Sequence, residues 1–244
     1  MRWVKQILLF LLIVFILPAL AHAGLWIAKP RPSSWSTADW SSANILPKSP
    51  PMETSAIYIF SARTGGLKGA FSTHSWIVTK QAGSQNYNRY DVVGWGQPVR
   101  KNMRAPDGKW YSNQPTIHYQ MQGEAAQKLI PIVEDKIANY RWRNYGDYSV
   151  WPGPNSNTFV STILSQLPQL KTSTPATAVG RDFPTSDEWV SFENGVLRVT
   201  LGGYAGVVVG KGMGLELNFL GLVAGANHST GEIKIPAFGT YSLI

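Results

Sequence analysis

Four hydropathy patterns follow one another along the chain. Residues 7–17 form an unbroken apolar run, preceded by Arg2 and Lys5 and followed by Ala21-His22-Ala23. A positive start, an apolar middle and an A-x-A site are the parts of an export signal. Apolar character resumes over residues 24–28, interrupted only by Pro18 and His22 before it, so the same segment is also long enough for an uncleaved anchor. Residues 1–23 are expected to be a signal peptide or N-terminal membrane anchor. Residues 24–55 are expected to be a tether: 30–51 are rich in Pro, Ser and Trp, show neither a helical nor a strand period, and read as a tether or as a strap lying on the domain.

The pattern then changes to short strands. Residues 57–60, 71–80 and 90–95 are strand candidates separated by turns at 65–69 and 86–88, which together predict a small antiparallel meander. In the second strand His74, Trp76 and Val78 alternate onto one face, and Ser75, Ile77 and Thr79 onto the other. Residues 101–115 read as a loop. Helical spacing appears at 124–140, where Leu129, Val133, Ile137 and Tyr140 share a face and Pro131 is expected to kink the helix or shift its start. A second helix carries Val160, Ile163, Leu164 and Leu167 at i, i+3, i+4 and i+7. After a Ser/Thr/Pro linker at 172–177, short glycine-broken runs at 189–192, 196–201, 206–209, 215–222 and 233–235 predict strands that extend the first sheet or form a second. The expected organisation is a core at 56–170 and a β-rich, Gly-containing C-terminal section at 171–244, in an α+β fold.

The second helix follows Trp151-Pro152-Gly153-Pro154-Asn155-Ser156-Asn157-Thr158-Phe159. Asn155, Ser156 or Asn157 can cap its first turn, which places Ser156 where free N–H groups and the helix dipole favour negative charge. That is a position for a nucleophile, and equally for an ordinary capping serine. His74 is likewise either a packed core histidine or a base for Ser156, since Ser–His is the pairing of acyl transfer.

Composition narrows the chemistry. With 44% apolar and 15% charged residues the 244-residue chain is globular. It has no cysteine, which excludes disulfides, thiolate metal sites and a cysteine nucleophile. Its charge of +8 is spread without a dense basic run, so nucleic acid is not an expected partner, whereas anionic lipid or cell-wall polymer fits an exported address. The four histidines show no metal-ligand spacing, and the glycines at 206–214 match neither a phosphate loop nor a dinucleotide fingerprint. No cofactor and no metal are expected.

A strand histidine followed by Asn155-Ser156 at a helix start resembles the circularly permuted branch of the NlpC-like, papain-related superfamily, which includes lecithin–retinol acyltransferase-like proteins and carries Asn-Cys there. The likeness covers roughly residues 57–167. The chain is also identified as a member of an uncharacterised bacterial family, domain of unknown function 3750, on Thr73-His74-Ser75-Trp76, residues 151–159, residues 176–182 and the Gly-rich residues 214–222, and thus over nearly the whole mature chain. The superfamily resemblance implies an antiparallel sheet packed on two helices, with Ser156 attacking and His74 as base. Backbone N–H groups of Ser156 and its neighbours would hold the oxyanion. The orienting residue would come from the strand after the histidine, where Asp91 is the only carboxylate; Tyr90, Gln97 and His118 are fallbacks, and a water-facing strand-edge carboxylate is the alternative for Asp91. Serine in place of cysteine leaves two readings open: an exported serine hydrolase or acyltransferase acting on cell-wall peptide or lipid amides and esters, or a non-catalytic envelope protein that keeps the cleft for binding. Both place the body outside the cytoplasm, in the periplasm or anchored to the inner membrane facing it.

Overall fold

A computed structural model describes residues 2–186, 188–210 and 212–243. It is an α+β protein with an N-terminal helical rod, two antiparallel sheets and a β-rich C-terminus. Helices α1 (Arg2–Leu11) and α2 (Leu17–Ile27) join through a π-turn at Leu12–Ile16 into one apolar rod long enough to cross a membrane, compatible with a signal peptide or an anchor. Nothing in α1 is buried, whereas Phe15, Ala19, Ala23 and Trp26 recur at helical spacing and turn toward the body.

The first sheet holds β1 (Ala56–Arg63), β2 (Thr73–Lys80), β3 (Asn88–Val92), β4 (Val99–Lys101) and β5 (Thr116–Gln122), in the order β4-β3-β2-β1-β5. Its two central strands are buried on both faces. On one face lie α3 (Glu124–Ala138) and α4 (Ser156–Ser165), so Ile57, Ile59 and Ile77 pack with Val133, Phe159 and Ile163. On the other, Phe60, Trp76 and Val78 pack with Leu46 and Trp110. The Pro/Ser/Trp-rich segment is therefore a strap on the sheet. Asp107 pins it by accepting from the backbone N–H groups of Ile45 (2.7 Å) and Leu46 (3.0 Å).

Two expectations change. Helix α3 begins at Glu124 and runs through Pro131, because Pro131 and Gln127 are both exposed and water can serve the carbonyl that the proline leaves unpaired. Strands β4 and β5 have no counterpart among the predicted elements, although β5 alternates Ile117, Tyr119 and Met121 with polar residues, which is the signature of a strand.

The C-terminal strands form a sheet of their own, a seven-stranded meander of β6 (Val190–Glu193), β7 (Val196–Leu201), β8 (Ala205–Gly210), β9 (Gly214–Phe219), β10 (Leu222–Asn227), β11 (Glu232–Ile235) and β12 (Gly239–Ser242). The run predicted as one strand at 215–222 splits because Leu220 (φ 55°) and Gly221 (φ 85°) make a two-residue hairpin turn that needs positive φ twice. One face of this sheet is polar and turned inward: Glu216 is 2% exposed and bonds Arg181 Nη2 at 2.8 Å, and Lys234 reaches the same carboxylate. The opposite face carries Leu197, Leu201, Val207, Val209 and Leu215, all exposed.

Phe159 is fully buried between α4, Tyr140 and the first sheet. Phe159→Ala is expected to cost about 3–5 kcal/mol of unfolding free energy, read from urea denaturation.

Candidate functional site

The start of α4 is fastened on three sides. Asn155 is the N-cap, and its Oδ1 accepts from the backbone N–H of Asn157 (2.9 Å) and Thr158 (3.2 Å). Thr158 Oγ1 in turn accepts from Asn155 N–H at 3.1 Å, which completes a capping box. Asn155 Nδ2 donates to the carbonyls of Val150 and Val179, and Asn157 Nδ2 to those of Thr73 (2.8 Å) and Val179 (2.9 Å). Gly180 makes this approach possible. Its φ is 97°, and a Cβ there would lie 2.2 Å from Asn155 Nδ2. Strand β2, helix α4 and residues 177–180 thus meet at one knot of amide hydrogen bonds, to which Thr73 N–H adds a bond to Thr177 O at 3.0 Å.

Ser156 is the first residue of α4 and only 4% exposed. Its own N–H is the one first-turn amide with no acceptor among the described residues. The neighbouring amides expected to share an oxyanion are not free, because the Asn155 cap takes both.

His74 lies near the start of β2, 4% exposed, on the strap side with Trp76. Its Nε2 is 2.8 Å from Asp91 Oδ1, and its ring stacks on Trp110 at 3.6 Å between centroids and 5° between planes. Asp91 does not face water. It is fully buried, and Arg89 closes on it with Nε to Oδ2 at 2.7 Å and Nη2 to Oδ1 at 2.8 Å. Arg89 also lies over the Trp76 ring at 3.9 Å and donates to Ala105 O.

The electrostatics follow from this geometry. Burial pushes the Asp91 carboxyl up, but the Arg89 cation and the His74 hydrogen bond outweigh it and hold the pKa at about 2. Burial pulls His74 below its ordinary value; Asp91 opposes the shift and Arg89 adds to it. An ionised Asp91 can only accept, so the neutral imidazole carries its proton on Nε2 and leaves Nδ1 as a lone-pair acceptor. That nitrogen has no hydrogen-bond partner among the described residues.

His74 and Asp91 are therefore brought together, and Ser156 is not bonded to either. Helix α4 packs against the sheet face opposite to the one that His74 occupies. The nearest hydrogen bond between the two positions joins their neighbours, Asn157 and Thr73. Of the fallbacks, Tyr90 points to the helix side and donates to Glu134 Oε1 at 2.7 Å, Gln97 sits exposed in a turn, and His118 pairs with Ser61 Oγ at 2.7 Å. Arg89 and Trp110 were outside the predicted site. The Arg89-x-Asp91 spacing, which puts opposite charges two apart on one face of β3, is the signal that points to Arg89.

A cleft of about 970 Å³ opens elsewhere, between the first sheet, α4 and the inner face of the second sheet. Ser61, Arg63, His118, Lys171, Arg198 and Lys234 line it; Thr73 reaches it, while His74 and Ser156 do not. The His118 ring meets solvent through the cleft, yet the protein around it displaces enough water to lower its pKa to about 4. Among the described residues no group of His, Asp and Glu gathers as a metal site.

A family model, protein of unknown function (DUF3750), matches residues 54–183. The chain belongs to this family. No curated protein and no solved structure matches it. The DUF3750 match begins just before β1 and ends at Phe183, so it contains the first sheet, both packed helices and the 177–180 knot. It does not extend over nearly the whole chain beyond the N-terminal segment, and the Gly-rich residues 214–222 lie outside it, in the second sheet.

Two tests follow from the buried cluster. Asp91→Asn leaves the Arg89 cation buried without its counter-charge and is expected to cost about 3–5 kcal/mol, measured by chemical denaturation at neutral pH. The lowered pKa of His74 makes a stabilising contribution that is complete above its ordinary value of 6.5 and is lost as pH falls from there toward the folded value. His74→Gln should therefore flatten the loss of stability between pH 7 and pH 5, and identical slopes in the two proteins would contradict the assignment.

Proposed function

We propose that this DUF3750 protein is exported, held at the membrane or released by its N-terminal segment, and binds an acidic ligand in the cleft between its two sheets. Arg63 carries the reading. It borders the cleft, and among the described residues its guanidinium donates only to the carbonyls of Gly69, Ala70, Ala237 and Phe238, with no carboxylate bonded to it. The lining as a whole has five basic side chains (Arg63, Lys171, Arg181, Arg198 and Lys234) and two acidic ones (Glu193 and Glu232), but Glu216 answers Arg181 and Lys234 from behind and Asp182 answers Arg198, which leaves Arg63 and Lys171 for a ligand. A carboxylate- or phosphate-bearing fragment of cell-wall peptide or lipid has the charge and length for such a space. Calorimetric titration with a carboxylate-rich muropeptide and with a short-chain anionic lipid distinguishes the two sources. Arg63→Ala and Lys171→Glu should each weaken binding by about tenfold or more, which is about 1.4 kcal/mol; unchanged affinity would remove the cleft from the function.

A second reading rests on a different observation. Neutral His74 with an Nδ1, and Ser156 with an N–H at a helix start, both without a partner among the described residues, are the parts of a serine acyl-transfer centre. A sheet with two helices on one face is also what the permuted NlpC-like resemblance leads one to expect. In this reading Ser156 Oγ attacks the carbonyl and His74 Nδ1 takes the proton and returns it to the leaving group. Asp91 orients the ring, and Ser156 N–H holds the oxyanion. It requires movement, since both residues are closed over and the ring of Trp110, from the loop between β4 and β5, covers His74. Reaction with a fluorophosphonate probe decides it: labelling at Ser156 that disappears in both Ser156→Ala and His74→Ala favours the hydrolase, and the absence of labelling leaves the binding cleft as the function.

A further inference from the structure

We propose that the outer face of the second sheet is a membrane-docking surface, lying on the bilayer beside the N-terminal helix; the inference rests on the reading of that helix as a retained anchor. The sheet is inverted with respect to water. Its charged side chains Arg198, Glu216 and Lys234 turn inward, while strand pairing sets Phe192, Leu197, Val209 and Leu215 in one exposed row across four strands. Their fractional exposures are 73%, 39%, 44% and 49%. The adjacent row, through Val199 and Val207, is also apolar. An antiparallel sheet with one wet face normally shows water its polar side. A continuous apolar face of this extent marks an interaction surface.

The helix identifies the occupant. Phe15 packs on Phe219, which belongs to this outer face, with ring centroids 5.6 Å apart. Only α1 projects free of the body, and ten residues span about 15 Å at 1.5 Å per residue. The hydrocarbon of a bilayer is about 30 Å thick. The rod can therefore cross only if the part seated on the body also enters the membrane, which brings the outer face to the lipid. The unpaired edges of β6 and β12 must stay at head-group level, where their N–H and C=O groups find water. Trp189 and Tyr241, exposed beside or on those edge strands, have the amphipathic rings that settle at that level.

The chain has no cysteine, so single ones can be introduced for nitroxide labelling. The full chain, synthesised cell-free onto vesicles containing phosphatidylglycerol, would carry Val209→Cys on the outer face, Leu8→Cys on the helix, or Tyr145→Cys on the exposed surface of the DUF3750 unit. Labels at 209 and 8 are expected to collide with oxygen several-fold more often than with a water-soluble nickel chelate, and the label at 145 the reverse. A lipid-like signal at 8 with a water-like one at 209 would overturn the docking and leave the anchor standing. Water-like signals at both would overturn the anchor reading and the docking with it. A label at 209 shielded from both reagents and broadened by a second spin would make another copy of the chain the occupant, which also overturns the proposal.

Discussion

Arg181 and Glu216 meet at 2.8 Å in a site closed to water, and much of the architecture depends on that pair. Burial alone would raise the Glu216 carboxyl, but Arg181 and Lys234 bring it below its ordinary value and keep it ionised. Breaking one partner of such a pair leaves an uncompensated charge in the interior, so the second sheet is held to the DUF3750 unit in one orientation. Side chains alternate along a strand. Once Glu216 faces inward, Leu215 and Leu217 must face outward, and the same rule carries across every paired strand. The polar cleft and the apolar outer face are two consequences of one buried carboxylate.

The candidate catalytic groups are arranged by a second constraint, the burial of the first sheet on both faces. A strand covered by helices on one side and by the strap on the other must place consecutive residues in different environments. His74 consequently joins Asp91, Arg89, Trp76 and Trp110 under the strap, while α4 and Ser156 belong to the helix layer. The amide knot of Asn155, Asn157 and residues 177–180 holds the two layers in register near Thr73. This places the histidine and the serine close along the chain of contacts but on different sides of the sheet. The open cleft and the closed pair are therefore separate features of the fold.

The α+β class, helix α4 with its cap, the alternation of β2 and most of the C-terminal strands were legible in the sequence, because each is written in local spacing: 3.6 for the helix, two for the strands, Asn before the first turn. Asp91 was legible as the only carboxylate on its strand. What local spacing could not carry is who sits opposite whom. Strand β5 does carry its alternation in the sequence, but β4 is only three residues long and the strap has no period. Its place is decided by Asp107, more than sixty residues away along the chain. The partnership of Arg89 with Asp91, the stacking of Trp110 on His74, the loss of two helix amides to Asn155 and the inward turn of Glu216 are contacts between distant segments. Periodicity determined which residues share a face; only tertiary packing, by choosing what covers each face, decided which of those faces meets water, which closes over the histidine and which remains apolar and open.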